Sequence, residues 1–204
     1  MSVALLTVAT ADVLERYATA LNSKRCYAEK HGVAYVLDTN PYQVHHGFEP
    51  HWNRVAAIQR LMPLYDWVVY MDADMLVTNS TPSLKSMIED TWVDGGFPHI
   101  IIQDGMEINN GMFMLRSSAW SWQFLEDWLE LGGSLRGQEI TASVKDQAAM
   151  QELLLRHAND HRGPDVTPVD TCAFVRQEMR CYTQFSSCWR VRMAELGFPL
   201  GRRS

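Results

Sequence analysis

Two aspartates separated by one residue, Asp72 and Asp74, are the side chains of this sequence best suited to metal chemistry. Two carboxylates on a tight turn offer hard oxygen ligands to a divalent cation and leave coordination positions open for phosphate oxygens and water. A cation held in this way would neutralise a departing diphosphate. The pattern Asp-x-Asp alone is a weak signal, because such residues more commonly serve in turns or helix caps.

The position of the aspartate pair favours a ligand-binding role. The pair directly follows Trp67–Met71, an apolar run without alternation. Such a run predicts a central parallel strand that is covered on both faces. In open α/β sheets, ligands bind at the edge where the strands have their carboxyl ends. We therefore expect Asp72 and Asp74 at that edge.

The first part of the chain predicts a strand, a helix and a second strand. The apolar run Val3–Ala9 is typical of a buried strand. A helix should follow, with Thr10 or Asp12 as its cap and Gly32 at its end. The next strand, Ala34–Leu37, completes a unit that is typical of parallel sheets with right-handed crossovers.

Patterns further along the chain predict more elements of the same kind. They are an amphipathic helix with Val55, Ile58, Leu61 and Met62 on one face, strands over Ile100–Gln103, Met112–Leu115 and Val166–Val169, a turn over Glu107–Gly111, a helix that Ser117 or Ser118 caps and that ends at Gly132-Gly133, and a helix from Asp146 through Leu154. We therefore predict an α/β fold in which helices flank a Rossmann-like, mixed and mainly parallel sheet. At 204 residues the chain has the usual length of one domain, so we predict a single domain over 1–204.

The composition excludes several classes of protein. Apolar residues make up 47% of the chain and charged residues 21%, which excludes a disordered protein. The net charge of −6 argues against nucleic acid as a partner, because such binding depends on clustered Lys and Arg. No apolar run reaches the roughly 20 residues of a membrane span, and the first residues do not form a signal peptide. We therefore expect no anchor or export signal within these residues.

The cysteines carry little information about compartment. Cys26, Cys172, Cys181 and Cys188 do not form a Cys-x-x-Cys pattern. A disulfide among the last three is conceivable, but we favour buried free thiols.

Four ordered blocks of the sequence resemble glycosyltransferase family 34, which includes fungal α-galactosyl- and α-mannosyltransferases and plant xyloglucan xylosyltransferases. The blocks are W-N-R-V-A-A-I-Q-R-L-M at 52–62, Y-D-W-V-V-Y-M-D-A-D-M-L-V-T-N at 65–79, N-N-G-M-F-M-L-R-S-S-A-W-S-W-Q-F-L-E-D-W at 109–128 and D-Q-A-A-M-Q-E-L-L at 146–154. Four blocks in order are far more specific than the aspartate pair. The resemblance implies a GT-A fold and a retaining transferase that moves a sugar from a UDP- or GDP-linked donor to a glycan hydroxyl. It also implies residence in the Golgi lumen.

The resemblance implies roles for particular residues as well. Asp72 and Asp74 would hold Mn²⁺ (or Mg²⁺) and the donor, whereas Asn109, Asn110 and Gly111 would line the sugar and acceptor side.

Asp146 and Gln147 would lie beside the anomeric carbon. There the Gln147 carbonyl would stabilise charge that develops in the transition state, and Asp146 would hold donor hydroxyls. The alternative for both residues is an ordinary helix start, where Asp is a cap.

Other polar and aromatic residues have less specific signals. Arg54, at a helix start, would steady a phosphate or the aspartate pair, or else form a surface ion pair. We also count Thr10, after the first strand, as a donor-binding candidate. Trp52 could stack on a base or a sugar. Three histidines lie close together in the sequence: His45, His46 and His51. We interpret them as solvated side chains rather than as a zinc site.

The chain departs from the family pattern near its end. The family supplies a further metal ligand, a histidine close to the C-terminus, that has no match before Ser204, and His157 and His161 follow the Gln147 block too soon. We expect a shortened form of the protein, a metal completed by water, or impaired activity. The alternatives are therefore a catalytically impaired nucleotide-sugar-binding protein and a sugar nucleotidyltransferase. The second is disfavoured, because residues 7–12 lack the glycine-rich basic loop of those enzymes.

Overall fold

The computed structural model describes residues 1–41, 50–92, 96–104, 108–134, 145–160 and 182–195. The predictions for His45, His46 and His161 and the strand predicted over Val166–Val169 lie outside these residues. The strands are β1 (Val3–Val8), β2 (Ala34–Asp38), β3 (Trp67–Met71), β4 (Ile100–Asp104) and β5 (Ile108–Arg116). The helices are α1 (Ala18–His31), α2 (Asn53–Leu61), α3 (Leu84–Glu89), α4 (Ala119–Ser134), α5 (Lys145–Asp160) and α6 (Tyr182–Glu195).

The chain divides into two compact units. The first consists of Met1–Ile102 and Gly111–Leu125, and the second of Gln103–Asn110 and Glu126–Ser204. The division does not test the prediction of one domain over 1–204, which stays a prediction.

The five strands form one mixed sheet in the order β2-β1-β3-β5-β4. Strand β1 is parallel to both β2 and β3, with Leu5 opposite Tyr35 on one side and Val69 on the other. Strand β5 is antiparallel to β3. This arrangement confirms the predicted α/β class with a Rossmann-like, mixed sheet. It also places the first residues after β1, β2 and β3 at one edge of the sheet.

The core of the first unit follows the alternation of the strands. Every second residue of β1 and β3 faces α1 and α3, because successive side chains of a strand point to opposite faces. The cluster comprises Val3, Leu5, Tyr27, Ala28, Val33, Trp67, Val69, Met71, Leu84, Ile88 and Met114. Helix α2 buries Val55 and Ile58 and packs on β1 and β3, as its amphipathic pattern predicts. The buried run Trp67–Met71 confirms the predicted central strand.

Helix α1 begins later than predicted. Residues Ala11–Val13 form a 3-10 turn in which the Val13 N–H donates to the Thr10 carbonyl, and regular α-helix starts only at Ala18. Thr10 precedes this short turn without a side-chain cap bond, so neither it nor Asp12 caps α1. The predicted end is confirmed, because Gly32 adopts a left-handed conformation with φ of 61°.

Strand β5 replaces the turn predicted over Glu107–Gly111. From Ile108 onward the chain is extended, and Gly111 accepts a hydrogen bond from the Asp72 N–H at 2.8 Å. The prediction failed because ladder bonds to a neighbouring strand outweigh the turn preference of Asn and Gly. Consequently Asn109, Asn110 and Gly111 lie on a strand.

One helix of the second unit confirms a prediction and another was missed. Helix α5 covers the segment predicted from Asp146 to Leu154, whereas α6 lies where the pattern allowed no assignment. The Trp128 indole donates to the Asp146 carbonyl at 2.8 Å, and the Trp189 indole donates to the Gln151 carbonyl at 2.8 Å. These buried bonds join α5 to α4 and to α6.

The cysteines differ from the expectation of buried free thiols. Cys26 is free but exposed, and Cys188 is disulfide-bonded. Within the described ranges, no helix is both long enough and apolar enough to cross a membrane.

Candidate functional site

An open cleft of about 220 Å³ lies in the first unit where β1 and β3 end. Four of the residues predicted for the site line it: Thr10, Arg54, Asp72 and Asp74. Its other walls come from the end of β1, the turn after it, and Pro50, His51 and Tyr70. The cleft therefore occupies the sheet edge at which α/β proteins bind ligands.

Asp72 is fixed by its backbone and by its side chain. Its N–H donates to the Gly111 carbonyl at 2.8 Å. Its carboxylate accepts a hydrogen bond from the Tyr70 hydroxyl at 2.6 Å, a length typical of bonds to an ionised oxygen. The Arg54 guanidinium approaches the same carboxylate oxygen to 3.4 Å. Asp72 thus has a set orientation before any ligand arrives.

Arg54 is a buried member of the site. Its side chain is 8% exposed, which excludes the alternative of a surface ion pair. The Nε donates to the His51 carbonyl at 3.0 Å, and the guanidinium carbon lies 4.7 Å from the centre of the Tyr70 ring. A guanidinium over an aromatic face gains cation–π attraction as well as ion pairing. The preceding Trp52 is 2% exposed, so it is not available to stack on a base or sugar.

A lysine that the sequence reasoning missed lies beneath the aspartates. The Lys24 ammonium donates to the Asp72 carbonyl and, at 3.1 Å, to the Ala73 carbonyl. Burial lowers the pKa of Lys24 to about 8, and the charges of Asp72 and Asp74 oppose this decrease.

The signal that could have revealed Lys24 is its spacing along α1. It follows Leu21 by three residues and precedes Ala28 by four, so it shares the apolar face of the helix. A lysine at such a position is unusual, because a buried ammonium needs partners. Tyr70 was also missed, although strand alternation puts it on the same side of the chain as Asp72.

The aspartates suit a divalent cation only if the ligand supplies further donors. Asp74 is exposed at the cleft, and Asp72 is about one-third exposed. In the part of the chain that the structure describes, no group of three or more His, Cys, Asp or Glu residues could hold a metal ion. Mg²⁺ and Mn²⁺ commonly take one or two carboxylates and complete their coordination with phosphates and water. The donor chemistry fits such an ion.

The second unit holds a separate polar cluster. The Asn110 side chain donates to the Asp146 carboxylate at 2.8 Å, and the Asn110 N–H donates to the Gln147 side-chain carbonyl at 3.1 Å. Asn110 and Asp146 are buried, whereas Gln147 is partly exposed. One turn further along α5, Gln151 donates to the Ile108 carbonyl at 3.0 Å. These bonds tie α5 to the first residues of β5.

The structure thus groups the predicted site residues in two sets. The cleft of the first unit contains Thr10, Arg54, Asp72 and Asp74, with Gly111 bonded to the Asp72 backbone. The cluster of the second unit contains Asn110, Asp146 and Gln147. Asn109 is exposed on β5 and belongs to neither set of contacts described above.

The chain is similar to plant glycosyltransferases. It is 31% identical over 125 residues to probable glycosyltransferase 3 of Oryza sativa subsp. indica, covering 52% of this chain and 27% of that protein. It is 29% identical over 157 residues to xyloglucan 6-xylosyltransferase 4 of Arabidopsis thaliana, covering 67% of this chain and 30% of that protein. The chain therefore spans less than a third of the length of either relative.

A solved structure and a family model also match this chain. A glycosyltransferase involved in the glycosylation of the major capsid of PBCV-1 matches with a TM-score of 0.49 and 16% identity, over 68% of each chain. The model of DUF273, described as a protein of unknown function, matches residues 24–195. The chain belongs to the DUF273 family. Its named relatives support a relationship to glycosyltransferases in general and do not single out family 34.

Proposed function

We propose that this chain is the GT-A type catalytic part of a metal-dependent, retaining glycosyltransferase related to family 34. It moves a sugar from a UDP- or GDP-linked donor to a glycan hydroxyl. One observation carries the proposal: Asp72 and Asp74 follow a central strand and line a cleft together with a buried arginine. The similarity to proteins named glycosyltransferases and a xylosyltransferase supports the same class.

The residues of the cleft suit the binding of a nucleotide diphosphate. Asp72 and Asp74 would hold Mn²⁺ or Mg²⁺, which when bound neutralises charge on the diphosphate. Arg54 and Tyr70 keep the Asp72 carboxylate oriented, because both contact the same oxygen. The Thr10 hydroxyl, at the end of β1, is a hydrogen-bonding group for the nucleotide.

Asp146 and Gln147 are proposed to act on the donor sugar. The Gln147 carbonyl accepts the Asn110 N–H at 3.1 Å, and this bond holds its dipole in one orientation. A dipole held in one orientation stabilises developing positive charge without reorganising. We expect Gln147→Ala to lower kcat more than it raises KM, as measured in steady-state transfer assays. A variant whose kcat is unchanged and whose KM alone is raised would contradict this role.

The first test is a calorimetric titration of UDP and of GDP into the chain, with and without Mn²⁺. We expect one nucleotide to bind in a metal-dependent manner. Asp72→Asn and Asp74→Asn should each remove the metal-dependent part, because an amide is a weaker ligand than a carboxylate. Asp90→Asn, an exposed acid after α3, is the matched control and should bind as the original chain does. Undiminished affinity in both site variants would refute the metal assignment.

A second experiment separates transfer from binding alone. The chain is incubated with Mn²⁺, a UDP- or GDP-sugar and a glycan acceptor, and nucleotide release and the anomeric configuration of the product are followed by NMR. Release with retention supports the proposal. Metal-dependent binding without release would instead indicate a nucleotide-sugar-binding protein. In a parallel incubation with a sugar phosphate and a nucleoside triphosphate, formation of a nucleotide sugar and pyrophosphate would indicate a nucleotidyltransferase.

A further inference from the structure

Lys24 is a buried charged residue at a position of α1 where helix packing alone would favour an apolar side chain. It lies on the core-facing side of α1 and is fully buried. Its ammonium donates to two consecutive main-chain carbonyls, those of Asp72 and Ala73. An apolar side chain would fill the same space without the cost of burying a charge. The lysine is therefore matched to the backbone of this turn.

A second lysine on α1 shows the contrast. Lys30 is exposed and donates to the carbonyl of Ser80 at 2.9 Å and to its hydroxyl at 3.1 Å. Solvent surrounds this contact, so water can replace it if the lysine is removed. Water cannot replace the Lys24 contact in the same way, because the ammonium is buried.

The carbonyls that Lys24 contacts belong to the turn that presents the aspartates. The Asp72 N–H is bonded to Gly111, and the Asp72 carbonyl also accepts the Met75 N–H at 3.2 Å. Lys24 thus joins α1 to the backbone of this turn, whereas Asp72 and Asp74 line the cleft. Without Lys24, the Ala73 carbonyl would need another donor and the Asp72 carbonyl would keep only the Met75 N–H, so the turn would relax.

We propose that Lys24 is a positioning residue, which holds the turn over Asp72, Ala73 and Asp74 so that both carboxylates face the cleft. Lys24 does not itself contact a ligand. Its effect on metal binding rests on the proposed function, whereas its effect on the turn does not. The two effects are therefore measured separately.

The turn is tested by amide hydrogen exchange in Lys24→Met, with Lys30→Met as the matched control. Met keeps the length and apolar packing of the stem but removes the donor. We expect exchange at the Asp72 and Met75 amides to accelerate by about tenfold or more, while amides at the centre of β3 change little. Lys30→Met should leave all of these unchanged. Unaltered protection of both amides in folded Lys24→Met would overturn the proposal. If Lys24→Met does not fold, Lys24→Leu, which also removes the donor, is measured against the same criterion.

The effect of Lys24 on ligand binding is tested by measuring the affinity for UDP and GDP with and without Mn²⁺. We expect Lys24→Met to weaken the metal-dependent binding by about tenfold and to leave the metal-independent binding within about twofold, because only the former needs both carboxylates in place. A general packing defect would instead weaken both equally, and that result would contradict a positioning role. If the original chain shows no metal-dependent binding, the proposed function fails while the exchange experiment still decides the role of Lys24.

Discussion

The hydroxyl of Tyr70, on strand β3, donates a hydrogen bond to the Asp72 carboxylate, and the contribution of this bond to stability can be measured. Tyr70→Phe removes one oxygen and keeps the ring, which is 2% exposed and packs against Phe113 and Arg54. What is lost is a 2.6 Å hydrogen bond to the Asp72 carboxylate. Hydrogen bonds to charged groups contribute about 1.5–3 kcal/mol. Since the Asp72 side chain is 32% exposed, water partly replaces the bond, and we expect a loss of about 1–1.5 kcal/mol.

The assay is thermal and urea unfolding of the ligand-free chain, followed by circular dichroism. A loss of this size corresponds to a fall in Tm of about 2–6 °C for a protein of this length. A double-mutant cycle with Asp72→Ala isolates the bond, and we expect a coupling energy of about 1 kcal/mol. The matched control is Tyr27→Phe, which removes a 2.8 Å bond to the neutral Pro82 carbonyl and should not couple to Asp72→Ala. Additivity of Tyr70→Phe and Asp72→Ala within about 0.3 kcal/mol would refute the reasoning.

Three further predictions concern groups elsewhere in the two units. The pKa of Lys24 falls from 10.5 to about 8 on folding, so between pH 8 and 10.5 the unfolded chain binds more protons than the native state. The free energy of unfolding should therefore rise with pH over this range. The same measurement on Lys24→Met should lack this rise. Arg60→Met should lower the free energy of unfolding in urea by about 1–2 kcal/mol, because its 2.6 Å partner Asp38 has a fully buried side chain; an unchanged urea midpoint would contradict this. Asn110→Ala should destabilise the chain by about 1–3 kcal/mol, because Asp146 loses a buried donor, and a Tm equal to that of the original chain would show that another donor replaces it.

Local patterns predicted the elements that the chain's own periodicity specifies. The uniform burial of Trp67–Met71 follows from its unbroken apolar run, so the position of Asp72 and Asp74 at the strand end could be predicted. The end of α1 at Gly32 was predictable for the same local reason. These features depend on residues close together in the sequence.

Features that depend on distant partners were not predictable in this way. The local sequence around Gly111 predicts a turn, but the structure has it in strand β5, where its carbonyl accepts the Asp72 N–H. Lys24 donates to carbonyls that lie 48 and 49 residues further along the chain, so its role depends on distant partners. Helix α6 has a weak amphipathic pattern, so its burial of Trp189 depends on packing against α5 rather than on its own sequence. The missing information is tertiary in each case.

The charge balance of the cleft has a kinetic consequence. Lys24 and Arg54 carry two formal positive charges, and Asp72 and Asp74 carry two negative ones, so this group of four sums to zero. The field that an approaching ion meets is then set by the rest of a chain whose net charge is −6. A free nucleotide would be repelled on approach, and dissolved ions screen that repulsion over about 8 Å at physiological ionic strength. Its association rate should therefore increase with added salt, the reverse of the behaviour of proteins that steer anions electrostatically.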